Sequence, residues 1–215
     1  MRIALFFQAG NFVGPEYFHA LKGAGFDVTP VHMGVMSNES RGREIDRTGG
    51  LWNPKPIDYA EDFSEWGGDA IRRLSEFDYA VNGGVGVKLS DDILKATKKG
   101  WINVHPGRLP AFRGSSCPEW AVLVGDAVYA TAHIMDRGLD TGPVICGVRY
   151  DVDPAWNYFQ FRANLYPHCA RVLVRALEMP SPVMQQGFAV TWPQMPPQIL
   201  ERVKRQFFPF HPGVM

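Results

Sequence analysis

Little in this chain speaks for a disulfide frame, a membrane span or a polyanion partner. Only three cysteines, Cys117, Cys146 and Cys169, occur in 215 residues. They lie far apart, without the paired spacing of a zinc site or the density of a disulfide scaffold. Reduced thiols in a cytoplasmic protein are the expectation. The N-terminal run MRIALFFQAG is too short for a signal peptide or a membrane helix and reads as a strand. Lysine plus arginine and aspartate plus glutamate both number 22, for a formal net charge of zero. That argues against a general nucleic-acid binder, which carries a basic excess. There is no Gly-Lys-Ser/Thr phosphate loop, and the Gly10-Asn11-Phe12-Val13-Gly14 turn lacks the glycine spacing of a dinucleotide fingerprint. Neither an internal repeat nor a low-complexity block is visible.

The hydrophobic content of 46% and charged content of 20% are those of an ordinary globular protein. The length suits one sizeable domain, placed at 1–180, with a short C-terminal extension at 181–215. Arg2 to Phe7 is nearly unbroken apolar sequence, as for a strand buried on both faces. Helical spacing from Pro15 to Lys22 and a second strand from Phe26 to His32 follow, a strand–helix–strand opening that points to a parallel sheet. Met33 to Ile57 is polar and rich in Gly and Pro. It reads as a surface loop with one short helix near Ser40 to Arg47, and a loop of this length can serve as a lid. A helix is expected over Glu65 to Leu74 and a strand over Tyr79 to Asn82. Ser90 should cap a helix with Asp91 and Asp92 in its first turn, closed by Lys98-Lys99-Gly100. Val128 to Met135 and Val144 to Tyr150 flank a Gly-rich turn and read as a hairpin, which makes the sheet mixed. Asn157 to Glu178 is helical with a break or kink expected at Pro167. Gly187 to Trp192 reads as a strand and Ile199 to Gln206 as a last helix. The apolar tail FFPFHPGVM should pack on the core or on a second subunit.

The chain is organised around Trp101 to Gly114, WINVHPGRLPAFRG. Trp101, Ile102 and Val104 favour a strand, and alternation puts Asn103 and His105 on one face. Pro106 stops regular pairing just after the histidine. An amide and an imidazole thus sit together at the carboxyl end of a strand, where open α/β sheets bind ligands. His105, His133, Asp136 and Asp140 could be drawn as a two-histidine carboxylate metal site, but the ligand spacing is absent and no metal is expected.

Three segments together resemble the folate-dependent formyltransferase family, whose members include the sugar N-formyltransferases and the glycinamide ribonucleotide and methionyl-tRNA enzymes. They are Asn103-Val104-His105-Pro106, Leu109-Pro110-Ala111-Phe112-Arg113-Gly114 and Gly138-Leu139-Asp140-Thr141-Gly142. The likeness is strongest from about Val81 to Ile145. It implies an α/β, Rossmann-like fold, with a mostly parallel twisted sheet and helices on both faces. It also implies transfer of a formyl group from N10-formyltetrahydrofolate to a primary amine. Asn103, His105 and Asp140 would carry the chemistry. Asn103 would donate to the formyl oxygen, His105 would handle the proton and the oxyanion, and Asp140 would orient or charge His105. The pterin would lie between the loop Gly84, Val85, Gly86, Val87 and the turn Arg137, Gly138, Leu139, Asp140, read by their backbone groups. His133 could line the same face, although a buried structural histidine is the plainer reading.

The acceptor is less defined. Gly107-Arg108 stands where the family commonly carries Ser-Leu, and Arg108 suits a phosphate or carboxylate of an acceptor or a solvated loop. Asn11 and Phe12, in the turn after the first strand, and Ser116 are further candidates. The chain is too short for the C-terminal barrel of the transfer-RNA enzyme, so the partner expected is a small-molecule amine rather than nucleic acid. A nucleotide-linked amino sugar is favoured, with glycinamide ribonucleotide or simple hydrolysis of formyl-folate as alternatives. The extension is compatible with a homodimer contact.

Overall fold

The computed structural model describes residues 1–86 and 88–209. In chain order its elements begin β1 (Arg2–Ala9), α1 (Val13–Gly23), β2 (Asp27–Val35), α2 (Asn38–Thr48) and β3 (Glu61–Asp62). A 3-10 turn (Phe63–Asp69) leads to α3 (Ala70–Leu74), β4 (Tyr79–Asn82), α4 (Asp91–Leu94), β5 (Trp101–His105) and β6 (Arg113–Gly114). Then come α5 (Cys117–Val124), β7 (Tyr129–Ile134), β8 (Val144–Arg149), α6 (Tyr158–Glu178), β9 (Thr191–Trp192) and α7 (Pro197–Phe207).

Seven strands form one sheet in the order β3-β2-β1-β4-β5-β7-β8, parallel through β5 and antiparallel from there. The alternating side chains of β1 divide the core. Ile3 and Leu5 join the apolar layer under α1 and α6, while Ala4 and Phe6 join the layer with Trp66, Leu74 and Trp101 on the other face. The fold is therefore the mixed, helix-covered α/β sheet expected. The order reverses between β1 and β4, which is where doubly wound sheets open a crevice for ligands. Asn11 bridges that point. Its Nδ2 donates to Gly83 O and Gly84 O at 2.8 and 3.3 Å, and its Oδ1 accepts from Gly14 N at 3.0 Å. Gly84, at φ +89°, is required here because a Cβ would lie 2.7 Å from the Asn11 nitrogen.

Several elements differ from expectation. Between Glu65 and Leu74 the helix is split, because Gly67 takes φ 48°, ψ −130°, a conformation a glycine tolerates. The helix behind Ser90 spans only Asp91–Leu94, and the Ser90 side chain makes no capping bond. Conversely, α6 runs unbroken through Pro167. Phe161 and Leu165 before the proline, and Cys169, Val172 and Leu173 after it, are all buried on the sheet, and this packing outweighs one lost backbone bond. Only Thr191–Trp192 of the expected Gly187–Trp192 strand pairs, with β6 in a separate two-stranded ribbon.

The Met33 to Ile57 segment is held down rather than free. α2 is capped by Ser37 at its start and by left-handed Gly49 at its end. Trp52 is buried against Phe12 and stacks on Tyr166 of α6 at 3.8 Å. In the tail, Phe208 is buried against Tyr158 and Phe161; residues 210–215 lie outside the described residues. No helix among the described residues is long and apolar enough to cross a membrane.

Candidate active site

Asn103 leaves β5 toward β7, and the antiparallel register pairs it with His133 and pairs His105 with Thr131. The His133 Nδ1 lies 3.0 Å from Ile134 O, so Nδ1–H donates there and Nε2 is left facing Asn103 and Asp140. Asn103 Nδ2 lies 3.2 Å from it, close enough to engage one of its two N–H groups. Its Oδ1 accepts from Asn82 Nδ2 at 3.3 Å. One N–H of the Asn103 amide thus has no partner among the described residues, and it stands at a cavity wall.

That cavity has a volume of about 520 Å³. Its polar end is formed by Asn82, Asn103, His133 and Asp140, and its rim by Val85, Gly86 and Arg137 to Leu139. Asp140 adopts a left-handed backbone, φ 55°. Its Oδ2 accepts from Gly114 N at 3.0 Å and faces His105 Nδ1 at 3.4 Å, while Oδ1 lies 3.6 Å from His133 Nε2. Burial by itself raises this carboxyl, but the His133 ring, the positive charge His105 carries when protonated and the Gly114 N–H more than offset it and hold it below the ordinary carboxylate range. His105 is 4% exposed, and its Nε2 donates to Phe112 O at 2.7 Å. Burial pushes this imidazole below the ordinary histidine value, against the opposing pull of Asp140. The result is an ionised carboxylate backed by a neutral imidazole and flanked by an amide donor. Such a set can accept a proton and stabilise a developing oxyanion.

The two titrations predict acid lability. Below the ordinary histidine value of about 6.5 the unfolded chain takes up a proton that folded His105 refuses. Below the ordinary carboxylate value the unfolded chain protonates while Asp140 stays charged. In both windows unfolding is the more proton-binding direction, so stability falls with pH. His168, also lowered by burial, adds with the same sign. Urea unfolding at pH 7.5, 5.5 and 4 should give stepwise lower midpoints, and a flat midpoint over that range would contradict this assignment.

The positions expected to surround the site fare unequally. Val85, Gly86, Arg137, Gly138, Leu139 and Asp140 line the cavity, but Gly84 does not. The N–H groups of Gly84 and Val85 both donate to Asn82 Oδ1, at 3.1 and 2.7 Å, so they are turned inward and unavailable to a ligand edge. Val87 lies outside the described residues. Arg137 is paired with Asp91 at the rim. Ser116 lines a second cavity of about 250 Å³, together with Gly114, Arg47, Glu119, Arg162 and Gln194. Asn11 is 3% exposed, with its amide held by backbone groups, and Phe12 packs on Trp52; neither lines the described cavities. Arg108 is also elsewhere. It pairs with Asp126 and lies over the Tyr129 ring. Half-exposed pairs of this kind contribute little, so Arg108→Ala should leave kcat/KM within about threefold of wild type; a larger loss in a steady-state assay would return it to the site. Among the described residues no group of three or more His, Cys, Asp or Glu is placed to hold a metal.

Asn82 and Gln185 were not singled out as site residues by the sequence reading. His133, for which a buried structural role was the plainer reading, lines the cavity. No local sequence signal marked Asn82 or Gln185.

The fold and this polar cluster define a class: a Rossmann-like domain with an Asn, His and Asp set beside a deep cavity. The sequence model described as Formyl transferase matches residues 61–177, and the chain belongs to that family. It is 30% identical over 184 residues to the methionyl-tRNA formyltransferase of Gluconobacter oxydans, an alignment covering 81% of this chain and 60% of that protein. Across three such curated relatives it spans from 33% to 60% of their length. HypX from Aquifex aeolicus in complex with tetrahydrofolic acid superposes with a TM-score of 0.58 at 16% identity, covering 93% of this chain and 30% of that one. The formyltransferase PseJ from Anoxybacillus kamchatkensis superposes with a TM-score of 0.56 at 16% identity, covering 90% and 86%. Its structure is a complex with UDP-4,6-dideoxy-4-formamido-L-AltNAc and tetrahydrofolate.

Proposed function

We propose that this protein moves a formyl group from N10-formyltetrahydrofolate to the primary amine of a small acceptor, a nucleotide-linked amino sugar. The observation that carries the reading is that the Asn103 amide and the ionised Asp140 both line the 520 Å³ cavity and both reach His133 Nε2. The donor would enter that cavity with its pterin between Val85–Gly86 and Arg137–Leu139 and its formyl oxygen toward Asn103. The neutral amine attacks the formyl carbon, and the carbonyl electron pair moves onto oxygen, where the Asn103 N–H stabilises it. The amine proton leaves to Asp140, directly or through water, and His105 Nδ1 is placed to take it on. Collapse of the tetrahedral adduct breaks the bond to N10, and the proton taken from the amine is returned to N10, which restores Asp140 and His105 to their starting forms. The 250 Å³ cavity that Gly114 lines supports a compact acceptor group, and its polar wall of Ser115, Ser116, Glu119 and Gln194 suits hydroxyls.

The methionyl-tRNA relatives favour a second acceptor, an aminoacylated transfer RNA. Purified protein with N10-formyltetrahydrofolate and, in turn, a nucleotide-linked amino sugar, glycinamide ribonucleotide or methionyl-tRNA, read by mass, separates these. A formylated sugar supports the proposal. A formylated alternative acceptor overturns the sugar assignment, and formyl loss without an acceptor product makes the protein a hydrolase.

A further inference from the structure

Gln185 stands in the stretch between α6 and α7, far in sequence from Asp140, yet its carboxamide is built into the same turn. Its Nε2 donates to Asp140 O at 2.9 Å and to Gly142 O at 2.8 Å. Its Oε1 accepts from Arg113 Nη2 at 2.6 Å and from Nε at 3.2 Å. No other donor reaches either carbonyl among the described residues. Asp140 needs such support, because a residue with a Cβ disfavours φ 55°. The turn has one anchor of its own, the Asp136 carboxylate, which accepts from Gly138 N at 3.0 Å and from the Thr141 hydroxyl. The Asp140 and Gly142 carbonyls are held by Gln185. Gly142 passes close to the end of β7, where a Cβ would lie 1.9 Å from Ile134 O.

The same amide fixes the other side of the carboxylate. Arg113 precedes Gly114, whose N–H holds Asp140 Oδ2. Gln185 therefore ties together the turn that carries Asp140 and the strand that aims it. Its own position is set from both directions. Val183 and Val144 exchange two backbone bonds of 2.8 Å, and β9 pairs with β6.

We infer that Gln185 is a positioning residue for the formyl-transfer site, holding the Asp140 turn against the Arg113–Gly114 strand. This rests on the reading above. Misplacement of a reacting group by about an ångström costs up to about 10²-fold in rate, so Gln185→Ala should lower kcat about 10- to 100-fold, with both KM values within about threefold. The acid limb of the kcat profile should move to higher pH, because a loosened Asp140 loses the Gly114 N–H that favours its charged form. Gln185→Glu fills the same volume and keeps the Arg113 contact but cannot donate to the two carbonyls. It should show the same loss, and it carries the test if the alanine variant unfolds. Tetrahydrofolate affinity and the thermal midpoint, measured alongside, separate positioning from collapse. Wild-type kcat and pH profile in Gln185→Glu would overturn the inference alone. A wild-type protein that transfers no formyl group would overturn it together with the function it rests on.

Discussion

Asp140→Asn is expected to lower kcat for formyl transfer by about 10³-fold while leaving the protein folded. Asparagine has the same shape, and it tolerates the left-handed backbone that Asp140 occupies better than most residues do. Its side-chain oxygen can still accept from Gly114 N. What disappears is the negative charge beside His105 and the ability to receive the amine proton. A positioned general base contributes about 10²- to 10⁴-fold, and the loss of a charge in a buried site falls within that range. The variant also has a spectroscopic consequence. The Asp140 charge raises the His105 pKa against burial, so removing it should drive the imidazole titration still lower, which histidine NMR can follow. Activity within tenfold of wild type would remove Asp140 from proton transfer and shift the burden to solvent.

Asn103→Ala should cost about 10²- to 10³-fold in kcat, the usual penalty for losing one oxyanion donor. The KM for N10-formyltetrahydrofolate should change little, because the cavity rim is made by Val85, Gly86 and the Arg137–Leu139 turn rather than by Asn103. The substitution also leaves His133 Nε2 and Asn82 Nδ2 without their shared partner. Asn82 in turn holds the Gly84 and Val85 N–H groups. A modest loosening of the donor-side loop therefore accompanies the loss of the donor. Measuring single-turnover formyl transfer at saturating folate isolates the chemical step. A rise in folate KM with kcat intact would mean that Asn103 binds the donor uniformly and does not stabilise the oxyanion.

Removing His105, by contrast, cannot report cleanly on chemistry alone. Its imidazole satisfies Phe112 O and stands behind the Asp140 carboxylate at 4% exposure. A truncation there leaves a buried carbonyl unpaired and a buried charge less supported, each a known source of destabilisation. His105 supports Asp140 as well as offering Nδ1 in the proposed proton path, so its truncation mixes the two effects.

The amino-acid order by itself determined the local units of this protein. Unbroken apolar runs made β1 and the interior of β5, alternation put Asn103 and His105 on one face, and the Gly138–Gly142 turn presented Asp140. Each of these follows from neighbours within a few residues, through strand alternation, proline stops and turn chemistry. Tertiary structure decided the rest. His133 reaches Asn103 only because β7 runs antiparallel to β5 in one particular register. Gln185 meets Asp140 only because the stretch after α6 is pinned by Val144 and β6. Arg108 turns to Asp126 instead of a cavity. These contacts join residues far apart in sequence. Their geometry is set by strand register and by the packing of whole elements, which no local pattern of residues encodes.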